Sequence, residues 1–145
     1  MSAENVERAK DMWLGDFDLT KMVEGGPDAV AAVFPTLRAD VKSEFIAQNP
    51  EASQSYKGIE GLYEGWREWI EPWSSYSIRM NEMIEAGPHE FVVMGRAEAR
   101  TSRDAVLMEH RPAAILTLDA DGLVTWVRFF LDSDDALRAA GVDSA

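Results

Sequence analysis

Between Tyr76 and Leu131 the chain divides into four long extended segments separated by turn signals, and this run restricts the possible folds more than any other feature. The segments are Tyr76 to Glu85, Glu90 to Arg100, Val106 to Leu118 and Leu123 to Leu131. The junctions are Gly87-Pro88, Ser102-Arg103-Asp104 and Asp121-Gly122. Strand-forming residues bounded by Gly, Pro, Asp and Ser predict antiparallel hairpins. Each segment exceeds the usual five or six residues, which favours a strongly bent sheet wrapped around helices over a flat one. Pro112 lacks an N–H and predicts a bulge or an edge in the third segment.

The helices that such a sheet would wrap precede it. Ile59, Leu62, Tyr63, Trp66, Ile70 and Trp73 recur three or four apart, which predicts a helix from Gly58 to Trp73 with one apolar face. Gly61 and Gly65 weaken that helix by roughly 1 kcal/mol each, so something must pack closely against it there. Val6, Ala9, Met12 and Trp13 recur at helical spacing and predict a first short helix that Gly15-Asp16 ends, with further helix after it. Asp28 to Phe34 reads as a helix between Pro27 and Pro35, and Val41 to Ala47 as a strand. At the other end Ser133 is placed to cap a last helix, with Asp134 and Asp135 in its first turn and Gly141 closing it.

A length of 145 residues suits one domain, taken as 1–145. With 14 Lys and Arg against 26 Asp and Glu, the formal charge of −12 repels phosphate backbones and anionic lipids, so neither nucleic acid nor a membrane is an expected partner. No apolar run approaches the ~20 residues of a membrane span, and the polar start MSAENVERAKD lacks a secretory hydrophobic segment, so the expected location is the cytoplasm. Cysteine is absent, which removes disulfides and thiolate chemistry. His89 and His110 lie in separate segments without metal-site spacing, so no metal and no cofactor is expected.

The segments YKGIEGLYEGWREW, YSIRMNEMIEAGPHEFVVMGRAEAR, ILTLDADGLVTWVRFFLD and DALRAAGV, in this order, cover most of residues 56 to 142. They resemble the SnoaL-like branch of the nuclear transport factor 2-like superfamily, the cystatin-like cone. The resemblance implies an α+β cone, with N-terminal helices packed in the concave face of a strongly curved antiparallel sheet. It also implies an enclosed pocket and a homodimer formed through the outer sheet face. Similar proteins include polyketide cyclases, ketosteroid isomerases, epoxide hydrolases, dehydratases and non-catalytic modules, so the pocket residues must choose among them.

Alternate residues of a strand face opposite sides, and Thr125, Val127, Phe129 and Leu131 form the more apolar set of the last segment, expected inside. By the resemblance, the carboxylate of the epoxide hydrolases falls on Phe129 and that of the cyclases and isomerases on Ala114. Neither residue transfers a proton, which points to an apolar cavity for a larger ligand. Arg96 and Glu98 share a face, as do the Arg and Asp of the epoxide hydrolase site. Inside the cone they would form an acid–base pair, and on the convex face a plain ion pair. His110, with Met108 and Ala114 on its own face, is a candidate base beside Glu98 or a structural histidine. Among the aromatics Trp13, Tyr56, Tyr63, Trp66, Trp69, Trp73 and Tyr76, those expected to touch ligand are Trp13 and Tyr56, together with Met108, Ala114 and Phe129.

Three readings follow. The first is a SnoaL-like protein that binds a small hydrophobic molecule. The second is a cofactor-independent isomerase, cyclase or hydrolase using Arg96, Glu98 and His110. The third is a dimeric assembly module with a filled core.

Overall fold

The structure, a computed structural model, describes residues 3–46, 54–71, 73–101 and 107–142, leaving aside the side chains of 3–6, 9, 101, 107 and 108. The turn expected at Ser102-Arg103-Asp104 lies outside the described residues.

Helix α1 (Ala3–Trp13) is followed by a short strand β1 (Gly15–Asp18), then by helices α2 (Leu19–Glu24) and α3 (Gly26–Val33). Strands β2 (Leu37–Ile46) and β3 (Gln54–Lys57) form a hairpin that leads into the long helix α4 (Gly58–Ile70). The four predicted extended segments become β4 (Trp73–Gly87), β5 (Glu90–Thr101), the pair β6 (Leu107–His110) and β7 (Ala113–Leu118), and β8 (Val124–Phe130). Helix α5 (Ser133–Ala140) ends the described chain. Pro112 falls in the break between β6 and β7, where a ladder N–H would otherwise be required.

One sheet holds all eight strands, in the order β1-β4-β5-β7-β8-β2-β3, with β6 paired to the far part of β5. The pairs β4–β5, β5–β7 and β7–β8 are antiparallel as expected. The sheet is nevertheless mixed rather than wholly antiparallel, because β2 runs parallel to β8. The helical connection through α4 separates them in sequence and allows that direction.

Two apolar layers flank the sheet. On the inner face Val41, Phe45, Tyr76, Ile78, Phe91, Val93, Ala97, Ala99, Ala114, Leu116, Val127 and Phe129 meet the helices through Trp13, Leu19, Val30, Leu62 and Trp66. Leu62 is fully buried, and each such side chain contributes roughly 1.5–3 kcal/mol. On the outer face Val92, Met94, Ala113, Ile115 and Phe130 are covered by Ala136 and Leu137 of α5. That helix is capped by Asp132, whose carboxylate accepts from Asp134 N, one residue earlier than the Ser133 cap expected from the sequence. Gly141 closes it with φ 77°.

The close approach predicted along α4 is present at both glycines. A Cβ on Gly65 would stand 2.2 Å from the Phe45 ring, and one on Gly61 would stand 3.0 Å from Tyr56 Cβ.

Candidate functional site

Strand parity places the sequence-predicted residues on two faces. Ala97 and Ala99 are fully buried on the inner face, so Arg96 and Glu98, which alternate with them, are exposed on the outer one. Of the two readings of Arg96 and Glu98, the convex-face placement is the one the structure has. Arg96 sits opposite Arg79, which is bound to Asp16 at 2.7 Å, and Glu98 sits opposite Glu109. The Asp16 carboxyl is held below its ordinary range by the hydrogen bond from Arg79. Arg96 and Glu98 line two charged grooves on the outer face, of about 260 and 510 Å³, and do not reach the interior.

Trp13, Ala114 and Phe129 do surround the interior of the cone, with Phe17, Phe34, Trp66 and Met80. The void between them is about 20 Å³, room on the order of one water. The roomy cavity expected from Ala114 and Phe129 is thus apolar but small. Its physical cause is aromatic filling: Trp13 stacks on Phe34 at 4.4 Å, and Phe129 meets Trp66 at 4.1 Å and Phe45 at 4.9 Å. The buried indole N–H groups of Trp13 and Trp66 have no protein partner. Tyr56 stays half-buried beside Phe45, its hydroxyl bonded to Glu68, and does not line that void. Burial and the Glu68 carboxylate push its phenol up to about 12. The side chain of Met108, opposite Ala99 on β6, lies outside the described residues.

His110 alone of the three polar candidates is on the inner face. It pairs with Ala97 across β5–β6 and is half-buried. There it opens on a recess of about 500 Å³ lined by Trp69, Trp73, Tyr76, Glu109, His110, Leu131 and Asp132. Three elements meet at this corner. Trp69 is on the last turn of α4, Tyr76 on the first part of β4, and His110 ends β6. Tyr76 N donates to Thr20 Oγ1 of α2 at 2.8 Å, and Ser133 N donates to Arg111 O at 2.8 Å, which draws the start of α5 to the end of β6.

Hydrogen bonding fixes the ring chemistry. Trp69 Nε1–H can only donate, so the Tyr76 oxygen accepts it at 3.0 Å. That leaves the Tyr76 hydroxyl proton to go to His110 Nε2, 2.7 Å away, in the tautomer that carries the imidazole proton on Nδ1. Burial pushes the His110 pKa below its ordinary value, and burial pushes the Tyr76 phenol up to about 12. Both rings are therefore neutral near pH 7. A neutral imidazole on a chain that ends at a donor-only indole is an oriented hydrogen-bonding group rather than part of a proton wire.

The sequence singled out His110, and placed the aromatic ligand contacts at Trp13 and Tyr56; the aromatics beside His110 in the structure are Trp69, Trp73 and Tyr76, which also pack against the core. The parity that Tyr76 shares with Ile78 and Met80 is the sequence signal that puts it on the inner face.

The fold is that of the nuclear transport factor 2-like, or cystatin-like, cone proteins. Among solved structures it is similar to a phenazine biosynthesis-related protein from Pseudomonas aeruginosa, at 13% identity and TM-score 0.59, over 98% of this chain and 88% of that one. It is similar also to a hypothetical protein of ketosteroid isomerase-like fold from Catenulispora acidiphila, in complex with trimethylamine. That match has 11% identity and TM-score 0.60, over 99% and 96% of the two chains. A nuclear transport factor 2-like protein from Burkholderia thailandensis matches at 19% identity and TM-score 0.59, over 83% and 93%. No family model and no curated protein matches the chain.

Proposed function

We propose that this chain is a small-molecule-binding cone protein of the SnoaL-like branch, and that its ligand sits in the recess of Trp69, Trp73, Tyr76 and His110. One observation carries the reading: the recess offers about 500 Å³ beside a hydrogen-bonded, neutral histidine, whereas the cone interior offers about 20 Å³. Leu131 supports it, since it stands 41% exposed at the recess wall, where an apolar ligand would cover it. The ligand is small and mostly apolar, with a group that can meet His110.

The test compares two filling substitutions. A set of small apolar and alkylated molecules, neutral and charged, is screened by ligand-observed NMR against the wild type, Leu131→Trp and Ala114→Val. Binding lost in Leu131→Trp and kept in Ala114→Val is the expected result. The opposite pattern would move the site to the interior, where two unpartnered indoles could meet a ligand. Binding of nothing at all would leave the filled-core assembly module as the better reading.

A second reading, cofactor-independent catalysis at the same recess, is favoured by the orientation of His110 through Tyr76. His110→Gln would then abolish turnover of a bound molecule while its affinity changed little. We also propose the homodimer that the resemblance implies, formed on the part of the outer face that α5 leaves uncovered. Buried Trp126 Nε1, Arg128 Nε and Thr117 Oγ1 lack partners on that face.

A further inference from the structure

We infer that the recess is built for an organic cation, a small alkylated ammonium group bearing apolar substituents. The inference rests on the reading that the recess is the ligand site, and it adds the ligand's charge and chemical class.

The walls supply the argument. Three aromatic side chains, Trp69, Trp73 and Tyr76, line a single recess, and no Lys or Arg is among its lining residues that the structure describes. The charged residues described along it are acidic: Asp132, exposed at the rim, and Glu109, whose parity with Glu98 turns its carboxylate toward the convex side of the same edge. The rings of Trp73 and Tyr76 have centroids 6.5 Å apart and planes inclined by 55°, with the buried Tyr76 ring backing the partly exposed Trp73 indole. A rounded alkylammonium head can lie against the partly exposed indoles of Trp69 and Trp73, because the negative face of an aromatic ring attracts a cation within ~6 Å of its centroid. The histidine beside them is engaged through Nε2 by Tyr76 and adds no positive charge.

Other ligand classes fit the same walls less well. An anion would meet Asp132 and the acidic edge at Glu109 with no cation among the described lining residues, in a chain of formal charge −12. A small inorganic cation keeps its water and gains little from indole faces. An alkylated ammonium is weakly hydrated, offers methyl groups to Trp73 and Leu131, and is drawn by the acidic surface.

The test uses a charge-only comparison. Choline chloride and its neutral isostere 3,3-dimethylbutan-1-ol are titrated separately into the wild-type protein, with sodium chloride holding ionic strength constant. The indole signals of Trp69 and Trp73 are followed by NMR. The inference expects choline to shift both indoles with a Kd ~10-fold or more below that of the alcohol. It expects this preference to shrink in Glu109→Gln/Asp132→Asn, a pair in which asparagine retains the helix cap. If the alcohol binds the same indoles as tightly as choline, the cation inference is overturned while the recess stands as the site. If neither probe moves Trp69 and Trp73, or if only Trp13 and Trp66 respond, the inference and the recess reading fall together.

Discussion

The Tyr76 hydroxyl holds two neighbours in place with one oxygen. Tyr76→Phe would leave Trp69 Nε1–H and His110 Nε2 without their partner while preserving the ring, at a cost of about 1–3 kcal/mol. A lower urea midpoint with an unchanged slope is the expected result. His110 gives a pH dependence whose sign follows from its lowered pKa. In the unfolded chain the imidazole takes up its proton near 6.5, but in the folded chain only at lower pH, so the unfolded state binds more protons between those values. Its stabilisation is complete above 6.5 and is lost as pH falls below it. Urea midpoints at pH 7.5 and 5.5 should therefore differ less in His110→Gln than in the wild type. At this scale the sequence was only partly legible. Parity within a strand is readable, but which set faces inward depends on neighbours. Arg96 and Glu98 went outward because Ala97 and Ala99 are the residues small and apolar enough to lie under the helices.

Helix α4 and strand β5 each carry a glycine whose missing side chain sets how closely elements approach. Gly65→Ala improves helix propensity, yet its Cβ would enter the Phe45 ring, which is held by Trp66, Trp69 and Phe129. The clash should outweigh the gain, leaving the variant less stable by about 1–3 kcal/mol in thermal or urea unfolding. On β5 a Cβ at Gly95 would stand 1.9 Å from Arg79 O, inside the β4–β5 ladder. Gly95→Ala should disturb amide exchange along both strands, more than substitution at exposed Ser77 does. The long elements were legible because periodicity needs length. β1 and β3, four residues each, carry too few repeats to register, and Gly15-Asp16 read as a helix break when it opens a strand on the edge of β4.

For the molecule as a whole, two layers on one sheet explain why some alternation was hidden. FVVM in β5 and AAIL in β7 are apolar on both faces because α5 covers the outer side as the other helices cover the inner. Ending the chain at Leu131 would uncover Val92, Met94, Ile115 and Phe130 together. Such a truncation should self-associate or precipitate, seen as a shifted or lost peak in size-exclusion chromatography. The cone itself was legible from the order of elements. The volume of its cavity was not, since rotamers such as the Trp13–Phe34 stack decide how much of a cone is left empty.

Because α5 covers the sheet from behind, the outer layer of Val92, Ile115 and Leu137 is built without any residue of the recess. At the recess, Trp73, Leu131 and Glu109 are partly or fully exposed, so they can be rewritten while Tyr76 keeps its place in the core. Combinatorial libraries at Trp73, Leu131 and Glu109 should keep yielding folded protein with altered selectivity, whereas libraries at Val92, Ile115 and Leu137 should yield mostly losses.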